Sequence, residues 1–317
     1  MMKVGVVGVG MMGQHHARVY SELSDDFDLE LVGIADKDID RAREIAEKHG
    51  YAGVYEDHKE LAEEGLDALT IAVPTSLHKD VALDFIEKGT NVLVEKPIAD
   101  TVKNAEEIIE AAKKNDVTLS VGHIERYNPS VLKLKEVIDD GMLGNVMSIS
   151  GKRVGPLAIR IRDVGIIIDL AVHELDIISY LFDERIKKVT AKAGNAKHPA
   201  QVEDYAQIMV DFNDGRTGIV ETNWLTPHKT RKLSVVGTKG IAYLDYIDQS
   251  LVVHDTDWEQ NYKIQEKEPL KNELEDFLDC CLNGGKPCVT GEDGVHVLRA
   301  ARSAKKSSEK DQKVKVE

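Results

Sequence analysis

The stretch VGVVGVGMMG, residues 4–13, constrains this chain more than any other. An apolar run enters a turn with glycines at 8, 10 and 13, and a helical pattern begins there. Each glycine in a Gly-x-Gly-x-x-Gly turn has its own physical reason. Gly8 permits the tight turn, Gly10 lets a pyrophosphate approach the backbone, and Gly13 lets the helix pack close to the strand. Met11 and Met12 complete the turn and share its expected contact surface. The helix N-terminus adds unpaired N–H groups and a partial positive charge.

The first 120 residues or so repeat one theme. Short Val/Ile/Leu-rich runs at 3–7, 29–35, 68–72, 91–94 and 118–121 alternate with helical patterns at 11–23, 39–48, 77–88 and 102–115. Runs without polar alternation suit a parallel sheet covered on both faces. Strand–helix repetition then predicts an α/β N-terminal Rossmann domain, a doubly wound parallel sheet, over residues 1–122. Beyond it the pattern changes. Helices at 129–139 and 169–182 are followed by alternating runs joined by turn signals such as Asn213-Asp214-Gly215. This predicts an α+β domain with an open, mainly antiparallel sheet over 123–317. Two closing helices are expected at 271–283 and 292–308, with the C-terminal helix packing back on the first domain.

Composition limits the partners. Of 317 residues, 31% are charged and the formal net charge is −15, so the surface repels phosphate backbones and anionic membranes. No apolar run reaches the roughly 18 residues of a membrane span. The chain leads from Met1-Met2-Lys3 straight into a strand without a signal-peptide pattern. Cys280, Cys281 and Cys288 form no CxxC pattern, so neither a disulfide framework nor a metal site is expected, and a cytoplasmic location is.

The second strand ends at Asp36, 23 positions beyond Gly13, where a carboxylate would bind ribose hydroxyls. A carboxylate repels a 2′-phosphate, which favours NAD. Lys37 and Arg41 leave NADP possible, although solvated helix-start charge is the preferred reading of both. The segment TIAVPTSLH places Ala72, Pro74, Thr75 and His78 at the end of another strand, where sheets of this type bind ligands. Thr75 or Ser76 is expected to cap the following helix. His78 reads equally as a cofactor neighbour or a plain helix residue.

The run NVLVEKPIAD sends a buried strand into Glu95, Lys96 and Pro97 at the same end of the sheet. A lysine there would sit near the nicotinamide end of the cofactor. Farther on, Asp169, His173 and Asp176 follow at spacings of four and three, one face of a helix. A carboxylate one turn from a histidine can orient its ring, and a histidine with a lysine can act as an acid/base pair for alcohol oxidation.

With these residues in view, the chain resembles the glucose–fructose oxidoreductase and inositol dehydrogenase family (Gfo/Idh/MocA) over nearly its whole length. The glycine turn, Glu95-Lys96-Pro97 and the Asp169-x-x-x-His173 spacing carry the likeness. The resemblance implies an NAD(P)-binding Rossmann domain and a sheet domain that holds the substrate and often an oligomer interface. A homodimer or homotetramer is therefore expected. It also implies catalytic roles for Lys96, His173 and Asp169, with Glu95 holding Lys96 or a loop amide in place. One departure is visible: only Gly165 precedes Asp169, followed by Ile166, Ile167 and Ile168, where many members are glycine-rich.

Within the family, GHIERYNPSV, RIRDVGIIIDLAVHELD and NWLTPHKTRKLSVVGTKG are most similar to nucleotide-sugar dehydrogenases of the UDP-N-acetylglucosamine 3-dehydrogenase type. A second pyrophosphate needs cations, for which Arg153, Arg160, Arg162, Lys229 and Arg231 are candidates. Tyr127, Asn128 and Trp224 are candidate sugar contacts, with core packing equally open for the two aromatics. The expected reaction is oxidation of a sugar secondary alcohol, at best the 3-hydroxyl of a UDP-sugar. A dehydrogenase of free inositol or a simple sugar is the alternative, and a non-catalytic NAD(P)-binding regulator is the alternative of another class. Whether Lys96 or His173 takes the proton stays open.

Overall fold

The computed structural model describes residues 1–157, 164–198 and 202–317. The chain forms two compact units, Met1–Ile124 with Glu268–Val295, and Glu125–Lys267 with His296–Glu317.

The first unit holds a six-stranded parallel sheet. Its strands are β1 (Met2–Val7), β2 (Leu29–Ala35), β3 (Gly53–Tyr55), β4 (Ala68–Ile71), β5 (Asn91–Glu95) and β6 (Leu119–Gly122). They lie in the order β3-β2-β1-β4-β5-β6. The order reverses between β1 and β4, and the carboxyl ends of the strands at such a switch point are where ligands bind. The connecting helices are α1 (Gly13–Phe27), α2 (Ile39–His49), α3 (His58–Ala62), α4 (His78–Ile86) and α5 (Val102–Lys114). Apolar stripes on α1 and α2 pack with β1 and β2 into a core that includes Val4, Val6, Val19, Leu23, Ile34 and Ile45. The helix Pro269–Asn283 adds Leu270, Leu274, Phe277 and Leu278 to this core from the far end of the sequence. It is this penultimate helix that returns to the first unit, and most of the last helix belongs to the second.

The second unit is built on a nine-stranded sheet. It starts with α6 (Pro129–Asp139) and β7 (Val146–Pro156), then a π-turn at Ile167–Ala171 running into α7 (Val172–Phe182). There follow β8 (Lys188–Gly194), β9 (Tyr205–Asp211), β10 (Thr217–Asn223), β11 (Leu225–Gly237), β12 (Ile241–Asp245), β13 (Ser250–His254) and β14 (Glu259–Tyr262). After α8, the Pro269–Asn283 helix, come α9 (Gly291–Lys310) and β15 (Val314–Lys315). The sheet order is β14-β13-β12-β11-β7-β10-β9-β8-β15. All neighbours pair antiparallel except β7 and β10, which are parallel. The strands alternate: Ile208, Val210, Val220, Leu233 and Val235 enter one core with Leu175 and Ile178 of α7 and Ala300 and Ala304 of α9. The other face keeps exposed apolar groups, including Met209, Ile219 and Tyr243.

Candidate active site

The glycine turn has the geometry its sequence implies. Gly8 has φ +85°, and a Cβ there would stand 2.7 Å from the Ala72 carbonyl oxygen. A Cβ on Gly13 would stand 1.7 Å from the Gly8 carbonyl oxygen. Nothing lies within 4 Å of the Cβ position at Gly10, so this part of the backbone stays open to a ligand. No side chain caps α1 and no acidic residue stands in its first turn, which leaves its amide dipoles available to an anion.

Asp36 closes the turn from β2. Its carboxylate accepts from the Val9 amide at 2.7 Å and from the Asp38 amide at 2.9 Å, and each oxygen keeps a lone pair for a diol. Arg41 is not a solvated charge: its guanidinium donates to the carbonyls of Val9 and Gly10 and braces the turn. Lys37 is exposed. Gly8, Gly10, Asp36, Lys37, Ala72 and Pro74 line one open cleft of about 1220 Å³. Met11 is exposed beside Met12 at the lip of the turn.

The loop after β4 differs from expectation. Thr75 and Leu77 bound a 3-10 turn, and neither Thr75 nor Ser76 caps α4, whose first turn has no side-chain cap. His78 is buried, and its ring lies between two backbone carbonyls, Nε2 to Val73 at 2.9 Å and Nδ1 to Pro97 at 3.0 Å. Its role as a cofactor contact gives way to a place between two loops, where a neutral ring donates to one of the two carbonyls and packs against the other. Burial holds its pKa below the ordinary histidine value, against the pull of the Val73 carbonyl and the Glu95 charge.

Lys96 is half-buried at the end of β5, next to a cis Lys96–Pro97 bond. Glu95 is buried beneath it. One carboxylate oxygen accepts from the Lys96 amide at 3.1 Å and the other faces His16 Nε2 at 3.0 Å. Behind His16, Thr70 lies 3.4 Å from Nδ1 and Tyr20 is 2.9 Å from Thr70. Burial raises the Glu95 pKa, but the His16 hydrogen bond and the Lys96 charge outweigh it and hold the carboxyl below its usual range. Sequence spacing gives no hint of this chain, whose members come from three separate segments.

Glu273 of α8 is fully buried, and its carboxyl oxygens have no hydrogen-bond partner among the described residues. Burial, then the Glu95 charge, pushes its pKa well above the carboxylate range. A raised folded-state pKa means that its contribution is complete below the unfolded value and is lost as pH rises towards the folded one, at about 1.4 kcal/mol per unit. Glu273→Gln should therefore gain thermal stability over the wild type as pH goes from about 5 to about 8. Melting curves at both pH values check this; a difference that is flat or shrinks with pH would refute it.

In the second unit the π-turn carries Asp169, and such turns often mark functional sites. Asp169 and His173 are both half-buried. Asp176 does not share their role. It is 1% exposed and its carboxylate accepts from Arg126 at 2.9 Å in a buried pair. Arg153 is a second correction. Its guanidinium is buried, donates to Glu174 at 2.7 Å, and lies 2.9 Å from Glu125 and over the Tyr246 ring. Burial works against its charge, but Glu125 and Glu174 outweigh this and raise its pKa. A cation spent on two internal carboxylates has nothing to offer a diphosphate. Arg231 stands beside this cluster at 3.7 Å from Glu125 and is partly exposed; burial and then Arg153 lower its pKa. Arg160 and Arg162 lie outside the described residues.

The candidate sugar contacts are also internal. Asn128 caps α6 through the Ser130 amide at 3.1 Å and donates to the Tyr246 carbonyl at 3.1 Å. Trp224 is buried, with its ring 5.4 Å from that of His198, and Tyr127 is buried as well. For the two aromatics the core reading prevails, and the Asn128 side chain is engaged by its cap and by the Tyr246 carbonyl. Among the described residues no cluster of His, Cys, Asp or Glu could hold a metal, and no helix is long and apolar enough to cross a membrane.

A parallel sheet in this order, with an open glycine turn and an acidic residue closing β2, defines a dinucleotide-binding oxidoreductase of the Rossmann class. Residues 2–123 match the model of the Gfo/Idh/MocA oxidoreductase family, NAD-binding Rossmann fold, and residues 131–243 match the C-terminal domain model of the same family. The chain belongs to that family; it is an NAD-dependent dehydrogenase of CH–OH groups. It is 28% identical to a myo-inositol 2-dehydrogenase of Thermotoga maritima, over 100% of this chain and 99% of the relative. It is 26% identical to a UDP-N-acetylglucosamine 3-dehydrogenase of Acidithiobacillus ferrooxidans, over 95% of each. A solved structure of the latter enzyme superposes with a TM-score of 0.89 at 25% identity, over 98% of each chain.

Proposed function

We propose that this protein oxidises a secondary hydroxyl of a UDP-linked sugar, best the 3-hydroxyl of UDP-N-acetylglucosamine. The observation that carries this reading is the whole-length likeness to the Acidithiobacillus enzyme in both sequence and structure. Partly exposed Arg231 supports it as a remaining cation for a diphosphate. When bound, NAD supplies the hydride acceptor. Gly8, Gly10, Met11, Met12 and Gly13 would hold its pyrophosphate and Asp36 its ribose, with Lys37, Ala72 and Pro74 along the cleft and Thr75 following Pro74. His173 takes the proton of the reacting hydroxyl, Asp169 orients His173, and the Lys96 ammonium stabilises the alkoxide as it forms.

A second reading, oxidation of free inositol, is favoured by the slightly higher identity to the Thermotoga enzyme. NADH formation with UDP-N-acetylglucosamine, UDP-glucose, myo-inositol and glucose separates the two. The expected result is a kcat/KM for a UDP-sugar at least about tenfold above the others, ~1.4 kcal/mol of discrimination. A myo-inositol value equal to or above it would reverse the assignment.

The protein also assembles with a second copy of itself, in this proposal, through the open face of its large sheet. One cross-strand row runs Met209, Ile219, Ser150, Ser234, Tyr243 and Val252. Ile219 is 48% and Tyr243 49% exposed, an apolar surface that a monomer rarely leaves open. Light scattering should give at least twice the mass of one chain, and Ile219→Asp with Tyr243→Asp should shift it towards one. A wild-type monomer would sink this proposal.

A further inference from the structure

The turn that carries Lys96 is held from both sides by buried histidines that no step of the proposed reaction uses. On one side, His16 lies three residues beyond Gly13 on α1 and meets the Glu95 carboxylate at 3.0 Å. The other oxygen of that carboxylate takes the Lys96 amide at 3.1 Å. On the other side, His78 at the start of α4 meets the Pro97 carbonyl at 3.0 Å and the Val73 carbonyl at 2.9 Å. Glu95 is thus tied to the cofactor helix, the Lys96 amide to Glu95, and Pro97 to His78.

We infer that His16 and His78 are positioning residues that fix the orientation of Lys96, His16 through the Glu95 carboxylate and His78, as its Nδ1–H tautomer, through the Pro97 carbonyl. The hydrogen bonds around His16 are consistent with one tautomer throughout. Tyr20 donates to Thr70, Thr70 to Nδ1, and Nε2–H to Glu95, so every group is paired. The chain ends at Tyr20, which is fully buried, so it leads into the core and not to solvent. That excludes a proton wire and leaves a brace. Gly122 at the end of β6 fits the same purpose: a Cβ there would stand 3.1 Å from the Glu95 carboxyl carbon. Buried carboxylates without partners are costly, so loss of His16 frees Glu95 to protonate or swing and releases the Lys96 amide.

The inference rests on the reading of Lys96 as a catalytic residue, and its test separates the two. His16→Leu and His78→Leu are compared with His16→Gln, whose side-chain amide can still donate to Glu95. Each is measured for kcat, KM and NADH affinity, and for hydrogen exchange in the peptide spanning residues 91–98. Both leucine variants should lose about 10- to 100-fold in kcat, the cost of a misplacement of roughly 1 Å, with KM and NADH affinity within about threefold. Exchange in the 91–98 peptide should quicken at least about tenfold, since local opening sets its rate. His16→Gln should recover most of both losses. Unchanged exchange in the two leucine variants, or a kcat loss without faster exchange, overturns the clamp. Lys96→Ala is run beside them: if it keeps near-normal turnover, the catalytic reading of Lys96 falls, and the exchange data still decide the clamp.

Discussion

Replacing Lys96 with alanine is expected to lower kcat by about 10²- to 10⁴-fold, the span of a positioned acid/base or charge-stabilising group. NADH affinity should stay within about threefold, ~0.7 kcal/mol, because the glycine turn, Asp36 and Arg41 hold their geometry without the lysine side chain. Steady-state kinetics and NADH fluorescence titration measure the two quantities separately. Lys96→Arg then distinguishes the roles. Arginine keeps the charge at every accessible pH but cannot serve as a base. Retention of a tenth or so of wild-type turnover would point to alkoxide stabilisation, whereas loss equal to alanine would point to proton transfer. Near-normal turnover of Lys96→Ala would remove the proposed chemistry altogether.

How far the sequence exposed this site depended on whether a function needed neighbours along the chain. Gly8, Gly10, Gly13 and Asp36 were legible because a strand–turn–helix unit and the strand after it carry the whole cradle in one short span. Lys96 was legible because β5 delivers it at the same end of the sheet. Local pattern said less about β3 and α3, which are too short to show a period. It also obscures the start of β11, where exposed Pro227, His228 and Lys229 follow an irregular beginning at Leu225. The 169–176 spacing showed neither the π-turn at Ile167–Ala171 nor the Arg126 partner that takes up Asp176. Groups paired across long separations were invisible. His16 to Glu95 spans 79 residues, and Arg153 to Glu174 spans 21 from strand to helix. An arginine in an acidic chain reads as a ligand for an anion until its internal carboxylates are seen.

That difference gives the second large effect. Arg153→Met should destabilise the protein by about 3–5 kcal/mol, the usual result of removing one partner from a buried ionic cluster. The cause is not the lost attraction itself. Glu125 and Glu174 would remain buried, with Tyr246 still donating to Glu174 at 3.0 Å but the Arg153 cation gone from both carboxylates. Partly exposed Arg231, 3.7 Å from Glu125, is too distant to replace it for both. The melting temperature should fall on the order of 10 °C. Adding Glu174→Gln to Arg153→Met removes one orphaned charge and should recover part of the loss, so the two changes will not be additive. A substrate contact would behave differently. It would raise KM for a UDP-sugar while leaving the melting temperature near wild type and indifferent to Glu174. Melting curves of the single and double variants, read beside KM, decide between an internal strut and a substrate anchor.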